Sequence, residues 1–161
     1  MESYKIFIKQ QQNYRECLVQ FNNSRIINNV LIRSIIDVDL LPNATSNGVD
    51  TIKFNCESIE SLNYFVYSLI DSRKKTSTLN CNILHKLIYN TTNQLKHIIE
   101  KNNHSIACFN PKHIWVINKS EFVYFSGENC FPIHKNDCIE IMSPPVKNHI
   151  QTKNILSPEL L

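Results

Sequence analysis

The chain has 161 residues, enough for one domain and little more. Its 42% hydrophobic and 19% charged residues support one core and exclude a disordered polyelectrolyte. Seventeen Lys and Arg stand against 14 Asp and Glu, for a net charge of +3 spread along the chain, so a strongly basic nucleic-acid binder is excluded too. No apolar run approaches the ~20 residues of a membrane helix. The start, Met1 to Lys5, has no secretory apolar region. The expectation is a soluble intracellular chain, cytoplasmic by default.

The first 55 residues alternate. Tyr4, Ile6 and Ile8 are followed by Cys17, Val19 and Phe21, then Val30 and Ile32, then Ile36, Val38 and Leu40, then Ile52 and Phe54. Period-2 alternation of β-branched residues predicts strands buried on one face. Short polar turns at 11–13 and 22–24, and a longer one at 42–50, make them an antiparallel meander.

From Glu57 the period lengthens. Ile59, Leu62, Phe65, Val66 and Leu69 predict a helix that Ser58 or Ser61 caps. Leu84, Leu87, Ile88, Leu95, Ile98 and Ile99 predict a second, over about residues 79–102, packed antiparallel to the first. The stretch 114–117 and the stretch 122–125 then predict a hairpin that is apolar on both faces. Prolines from Pro132 to Pro158 predict an extended tail. The fold class is thus α+β: an antiparallel N-terminal sheet over 1–55, a two-helix middle, a β-hairpin and an extended tail, in one domain spanning 1–161.

Only two glycines occur, Gly48 and Gly127. Phosphate loops need glycine wherever backbone approaches phosphate closely, so Walker, Rossmann and glycine-flap sites are excluded. Six cysteines in a reducing compartment read as small hydrophobes, above all Cys17, Cys56 and Cys108. The spacing Cys130-x3-His134-x3-Cys138, with His149 or His113 as a fourth ligand, is the one arrangement that could hold zinc. It lacks the tight CxxC knuckle of structural zinc sites, so folding is expected without metal. Cys108 with His104 or His113 is the one thiol-and-base pair for nucleophilic chemistry, and burial as a core residue is the stronger reading. His85 and His97 read as surface or boundary residues on the long helix, Trp115 as core, and the run Arg73 to Lys75 as a solvated turn.

The loop after the long helix reads Ile106-Ala107-Cys108-Phe109-Asn110-Pro111-Lys112-His113 and leads into Ile114-Trp115-Val116. The hairpin ends in Tyr124-Phe125-Ser126-Gly127, and Leu156-Ser157-Pro158-Glu159 stands near the end. In this order the chain resembles a eukaryotic-type protein kinase up to its activation segment. Pro111 stands in register with the proline of His-Arg-Asp-x-Lys-Pro-x-Asn, the hairpin end with Asp-Phe-Gly, and Ser-Pro-Glu with Ala-Pro-Glu. The match covers residues 57–161 coarsely, so 1–55 becomes an N-lobe-like sheet and 56–161 a truncated C-lobe-like part. The whole is similar to short kinase-like proteins of large DNA viruses of eukaryotes, which would place it in host cytoplasm or virion.

That resemblance implies a degenerate site. Cys108 stands where the kinase base carboxylate belongs, Asn110 at the loop lysine, and His113 at the metal-binding asparagine. Ser126 or Phe125 replaces the Asp before Gly127. Magnesium requires hard oxygen ligands; no Val-Ala-x-Lys motif is visible among the early strands, Lys53 comes too late for that role, and no helix with a partner glutamate intervenes. The implied protein is a catalytically inactive, kinase-like interaction, scaffolding or structural module, with no cofactor, no nucleic acid and no membrane. A protein partner or a second copy would meet it through the region after Gly127 and the 79–102 helix, with Ile83, Ile88 and Ile99 uncovered. The alternative is a small α+β binding protein unrelated to kinases and stabilised by zinc.

Overall fold

The computed structural model describes residues 2–71 and 81–133. The chain is α+β with antiparallel sheets. Strands β1 (Tyr4–Gln10) and β2 (Arg15–Phe21) form a hairpin, with Tyr4 opposite Phe21 and Ile8 opposite Cys17. Strands β3 (Thr45–Ser46) and β4 (Thr51–Cys56) complete a four-stranded sheet in the order β1-β2-β4-β3. The alternation that predicted β1, β2 and β4 puts Cys17, Val19, Phe21, Ile52 and Phe54 on the covered face. Lys5, Phe7, Leu18 and Lys53 take the open one.

The strand expected at Val30–Ile32 is instead part of a helix, α1 (Arg25–Ile36), and the one expected at Ile36–Leu40 is the end of that helix and the turn after it. Ser24 caps it, its hydroxyl accepting from Ile27 N at 3.4 Å. Ile27, Leu31 and Ile35 follow each other at i+4 on the face turned to the sheet, and Leu31 and Ile35 are fully buried. In a chain this rich in isoleucine, a helical stripe flanked by further isoleucines also scores as alternation. A helix thus stands among the early strands, and it carries no glutamate.

Ile59 belongs to a short strand, β5 (Ile59–Ser61), rather than to the next helix. That strand joins β7 (Ile114–Ile117) and β8 (Glu121–Tyr124) in a second sheet. Ser61 does cap α2 (Leu62–Asp71), accepting from Tyr64 N at 3.3 Å. The long helix α3 spans Cys81–Asn102, close to expectation. The two helices do not form the close antiparallel pair expected. Helix α2 packs on β5, β7 and the turn Pro111–His113, whereas α3 packs on β8, α1 and β6 (His104–Ile106). They meet in a shared apolar cluster around Phe65, Val116 and Phe122. The hairpin is covered on both faces, as its apolar pattern required.

The buried line of α3 is also corrected. Leu84 is 41% exposed, and the line runs instead through Asn90, Gln94 and Ile98. Polar side chains serve there because they meet polar partners. Gln94 Nε2 donates to the Tyr124 carbonyl at 2.7 Å, and Tyr124 N donates back to Gln94 Oε1 at 2.9 Å. Asn90 Nδ2 donates to Glu121 at 2.9 Å. Ile88 and Ile99 are exposed as expected, and Ile83 is half-buried. A last strand, β9 (Cys130–Pro132), pairs with β6. No helix among the described residues is long and apolar enough to cross a membrane. The run Arg73 to Lys75, His134, Cys138, His149 and the proline-rich tail beyond Ile133 lie outside the described residues.

Candidate functional site

The loop residues singled out above gather at the seam between the first sheet and the hairpin. Asn110 starts a tight turn over Pro111–His113, its side chain accepting from Lys112 N at 3.1 Å. Phe125 N then donates to the His113 carbonyl at 3.2 Å, which ties the turn to the end of β8. The His113 ring is thereby held beside β1. Trp115 Nε1 donates to the Tyr4 hydroxyl at 2.9 Å, and that hydroxyl lies 3.4 Å from His113 Nδ1. On its other side, His113 Nε2 is 3.6 Å from Glu128. Trp115 can only donate, so Tyr4 accepts from it. The Tyr4 hydrogen goes to His113 in the tautomer that leaves Nδ1 unprotonated. Burial raises the Tyr4 pKa above its usual value, with Glu128 and Glu2 adding and the Trp115 bond opposing, so the phenol stays neutral.

A second contact closes the same seam. The Ser126 hydroxyl, fully buried, lies 3.0 Å from that of Ser3 and accepts from Glu128 N at 3.1 Å. Gly127 passes so close to α1 that a Cβ there would stand 2.6 Å from Asn23 Nδ2 and 2.7 Å from Ile27 Cγ2. Asn23 Nδ2 cannot retreat freely, because it donates to the Ser3 carbonyl at 3.1 Å. Glycine is therefore needed for close approach.

Cys108 is buried, and desolvation first, then Glu128, raises its thiol pKa. The two histidines suggested as its base are engaged elsewhere: His104 Nδ1 donates to the Asn102 carbonyl at 2.6 Å, and His113 faces Tyr4 and Glu128. Both features oppose a reactive thiolate. Tyr124 stands at the centre of the loop, stacked on Phe109 at 4.6 Å and edge-on to His113 at 6.1 Å. Burial raises its pKa strongly, against a smaller opposing effect of the Ser126 hydroxyl and the Asn110 backbone beside its own hydroxyl.

Of the suggested zinc ligands, Cys130 is buried in β9 and His113 has the partners given above. Among the described residues no three His, Cys, Asp or Glu side chains are grouped as a metal site. Desolvation pushes the Cys130 thiol from 9.0 up to about 11. An acid whose folded pKa is raised favours the folded state below its unfolded pKa, and that contribution is lost as pH rises. We predict that the urea midpoint falls between pH 9 and 11 and that Cys130→Ala flattens part of the fall. An unchanged slope in the variant would mean that Cys130 is not the titrating group.

Sequence reasoning missed Tyr4 and Glu128, and it read Trp115 as core. Trp115 is half-buried and lines a groove of about 390 Å³ with both of them. Alternation had marked Tyr4 as inward-facing, but nothing local to it names a partner 111 residues away. The chain matches no protein-family model, and no curated protein is significantly similar to it.

Proposed function

We propose that this chain is a catalytically inactive, kinase-like protein that acts as an interaction, scaffolding or structural module. The observation that carries the reading is the occupied seam. Where the resemblance would put a nucleotide and its magnesium between sheet and hairpin, the side chains of Tyr4, Trp115 and His113 meet one another. The loop positions that would carry a base and metal ligands hold Cys108, Asn110 and His113, and the position before Gly127 holds the Ser126 hydroxyl turned to Ser3.

The element order supports the same reading. A helix, α1, stands between early strands, where kinases carry the glutamate that pairs with the phosphate-binding lysine. Arg25–Ile36 contains no acidic residue. The loop with Pro111 lies beside the β7–β8 hairpin, as a kinase-like chain requires. Phosphoryl transfer is positioning plus electrostatic stabilisation, so losing the base and both metal ligands removes what the protein contributes.

Thermal-shift titration with ATP and magnesium tests this. The expected result is no change in Tm at millimolar nucleotide. A ligand at 100 times its Kd adds about 2.7 kcal/mol of stability, so even weak specific binding would be seen. A saturable, magnesium-dependent rise in Tm would overturn the reading.

A further inference from the structure

The β1 strand is the outer edge of the first sheet, and its register shows which backbone groups it leaves free. Asn22 N donates to the Ser3 carbonyl at 2.8 Å, so Ser3 and Asn22 are a hydrogen-bonded pair. In an antiparallel ladder such pairs alternate with non-bonded ones. Lys5, Phe7 and Lys9 therefore bond to β2, and the N–H and C=O groups of Tyr4, Ile6 and Ile8 point outward. None of these outward groups has a hydrogen-bond partner among the described residues. The apolar side chains beside them are not covered either: Phe7 is 51% and Ile8 48% exposed. At the Tyr4 end the edge opens into the 390 Å³ groove, with Trp115, His113 and Glu128 on its far wall.

We propose that this edge is a docking strand, to which an extended segment of a partner protein with carboxylates at alternate positions adds as a fifth strand. Backbone groups of Tyr4, Ile6 and Ile8 supply the ladder, and the groove beside Trp115 takes an apolar side chain. Charge selects the partner. The open face of the sheet carries Lys5, Lys9 and Lys53 against the single carboxylate of Glu16, which pairs with Lys53. Among the described residues, Lys5 and Lys9 have no carboxylate at ion-pair distance. A second copy is disfavoured by the same lysines. In the two-fold arrangement that pairs all of β1 with itself, Lys5 of each copy stands opposite Lys9 of the other, and like charges directly opposite repel. The proposal does not depend on kinase likeness, so it and the nucleotide test fail independently.

The test uses the full chain and a labelled synthetic peptide, acetyl-Glu-Val-Glu-Ile-Glu-Val-Glu-amide. Fluorescence anisotropy is expected to show saturable binding. The same peptide with Lys for Glu, and one N-methylated on alternate residues, should each bind at least tenfold more weakly. Ile8→Pro removes an outward N–H and no hydrogen bond to β2, so it should weaken binding at least tenfold while keeping the far-UV spectrum. Amide exchange adds a readout that needs no variant: Ile6 and Ile8 should exchange faster than Phe7 in the free protein and become protected with peptide. No saturable binding at millimolar peptide, or equal affinity for the Lys peptide, overturns the proposal. Protection of Ile6 and Ile8 in the free protein also overturns it. If that protection is independent of concentration, the chain's own residues fill the edge. If it grows with concentration, alongside a dimer in sedimentation equilibrium, a second copy does.

Discussion

Phe125→Ala is expected to lower the unfolding free energy by about 3–5 kcal/mol, the range for removing a fully buried phenylalanine. The ring has no exposed surface, and it lies where the two halves of the chain meet. It sits 5.8 Å from the Tyr4 ring and 6.3 Å from Phe21, joining the residue after β8 to β1 and β2. Truncation leaves a cavity at that junction, and its walls cannot easily collapse because Ser126 and Gly127 hold the next residues against Ser3 and α1. A domain of this size has only about 5–15 kcal/mol of stability in total, so much of it is at stake. Urea unfolding followed by far-UV circular dichroism would measure the loss, with Phe125→Leu as the milder control. A loss below about 1 kcal/mol would show that the seam is not a packed interface.

Gln94→Leu is expected to cost about 2–4 kcal/mol although it places an apolar residue at a buried position. The Gln94 amide imitates a strand, donating to the Tyr124 carbonyl and accepting from Tyr124 N, and its nitrogen also lies 3.3 Å from Ser34 Oγ of α1. Leucine leaves both Tyr124 backbone groups buried without partners, and each such group costs about 1–3 kcal/mol. Gln94→Glu should keep the volume and lose the bond to the carbonyl, because a carboxylate cannot donate. Chemical denaturation gives the size of the effect, and faster amide exchange at Tyr124 would locate it. If Gln94→Leu is neutral or stabilising, the pairing with Tyr124 is not what holds α3 to the hairpin.

Elements whose evidence is local were legible in the sequence. Strands β1, β2 and β4 follow from strict alternation, and Ser61 as a cap follows from its place before an apolar run. The hairpin β7–β8 follows from two short apolar runs around the polar stretch 118–121. The length of α3 follows from a sustained helical period. Helix α1 was not legible, because the density of isoleucine lets a helical stripe pass for alternation. A structure-wide contact decided between them: Leu31 and Ile35 reach Val19, Ile52 and Phe54 only if residues 25–36 are helical.

The sequence by itself also determined that Cys108 is an interior residue, that α3 ends at its last basic turn, and that two glycines build no phosphate loop. Only the tertiary structure decided which polar residues belong inside. Asn90 and Gln94 look like any solvent-facing residues until β8 is laid along α3 and offers them Glu121 and the Tyr124 backbone. It also decided that Tyr4 and Trp115 meet at the seam, and that β1 is an edge. The physical reason is the range of the interaction. Periodicity and capping act within a few residues, so the local sequence carries them. A hydrogen bond between Tyr4 and Trp115, or the lack of a neighbour beside Ile8, depends on where distant strands come to lie. Burial of the whole core sets that placement, not any local preference.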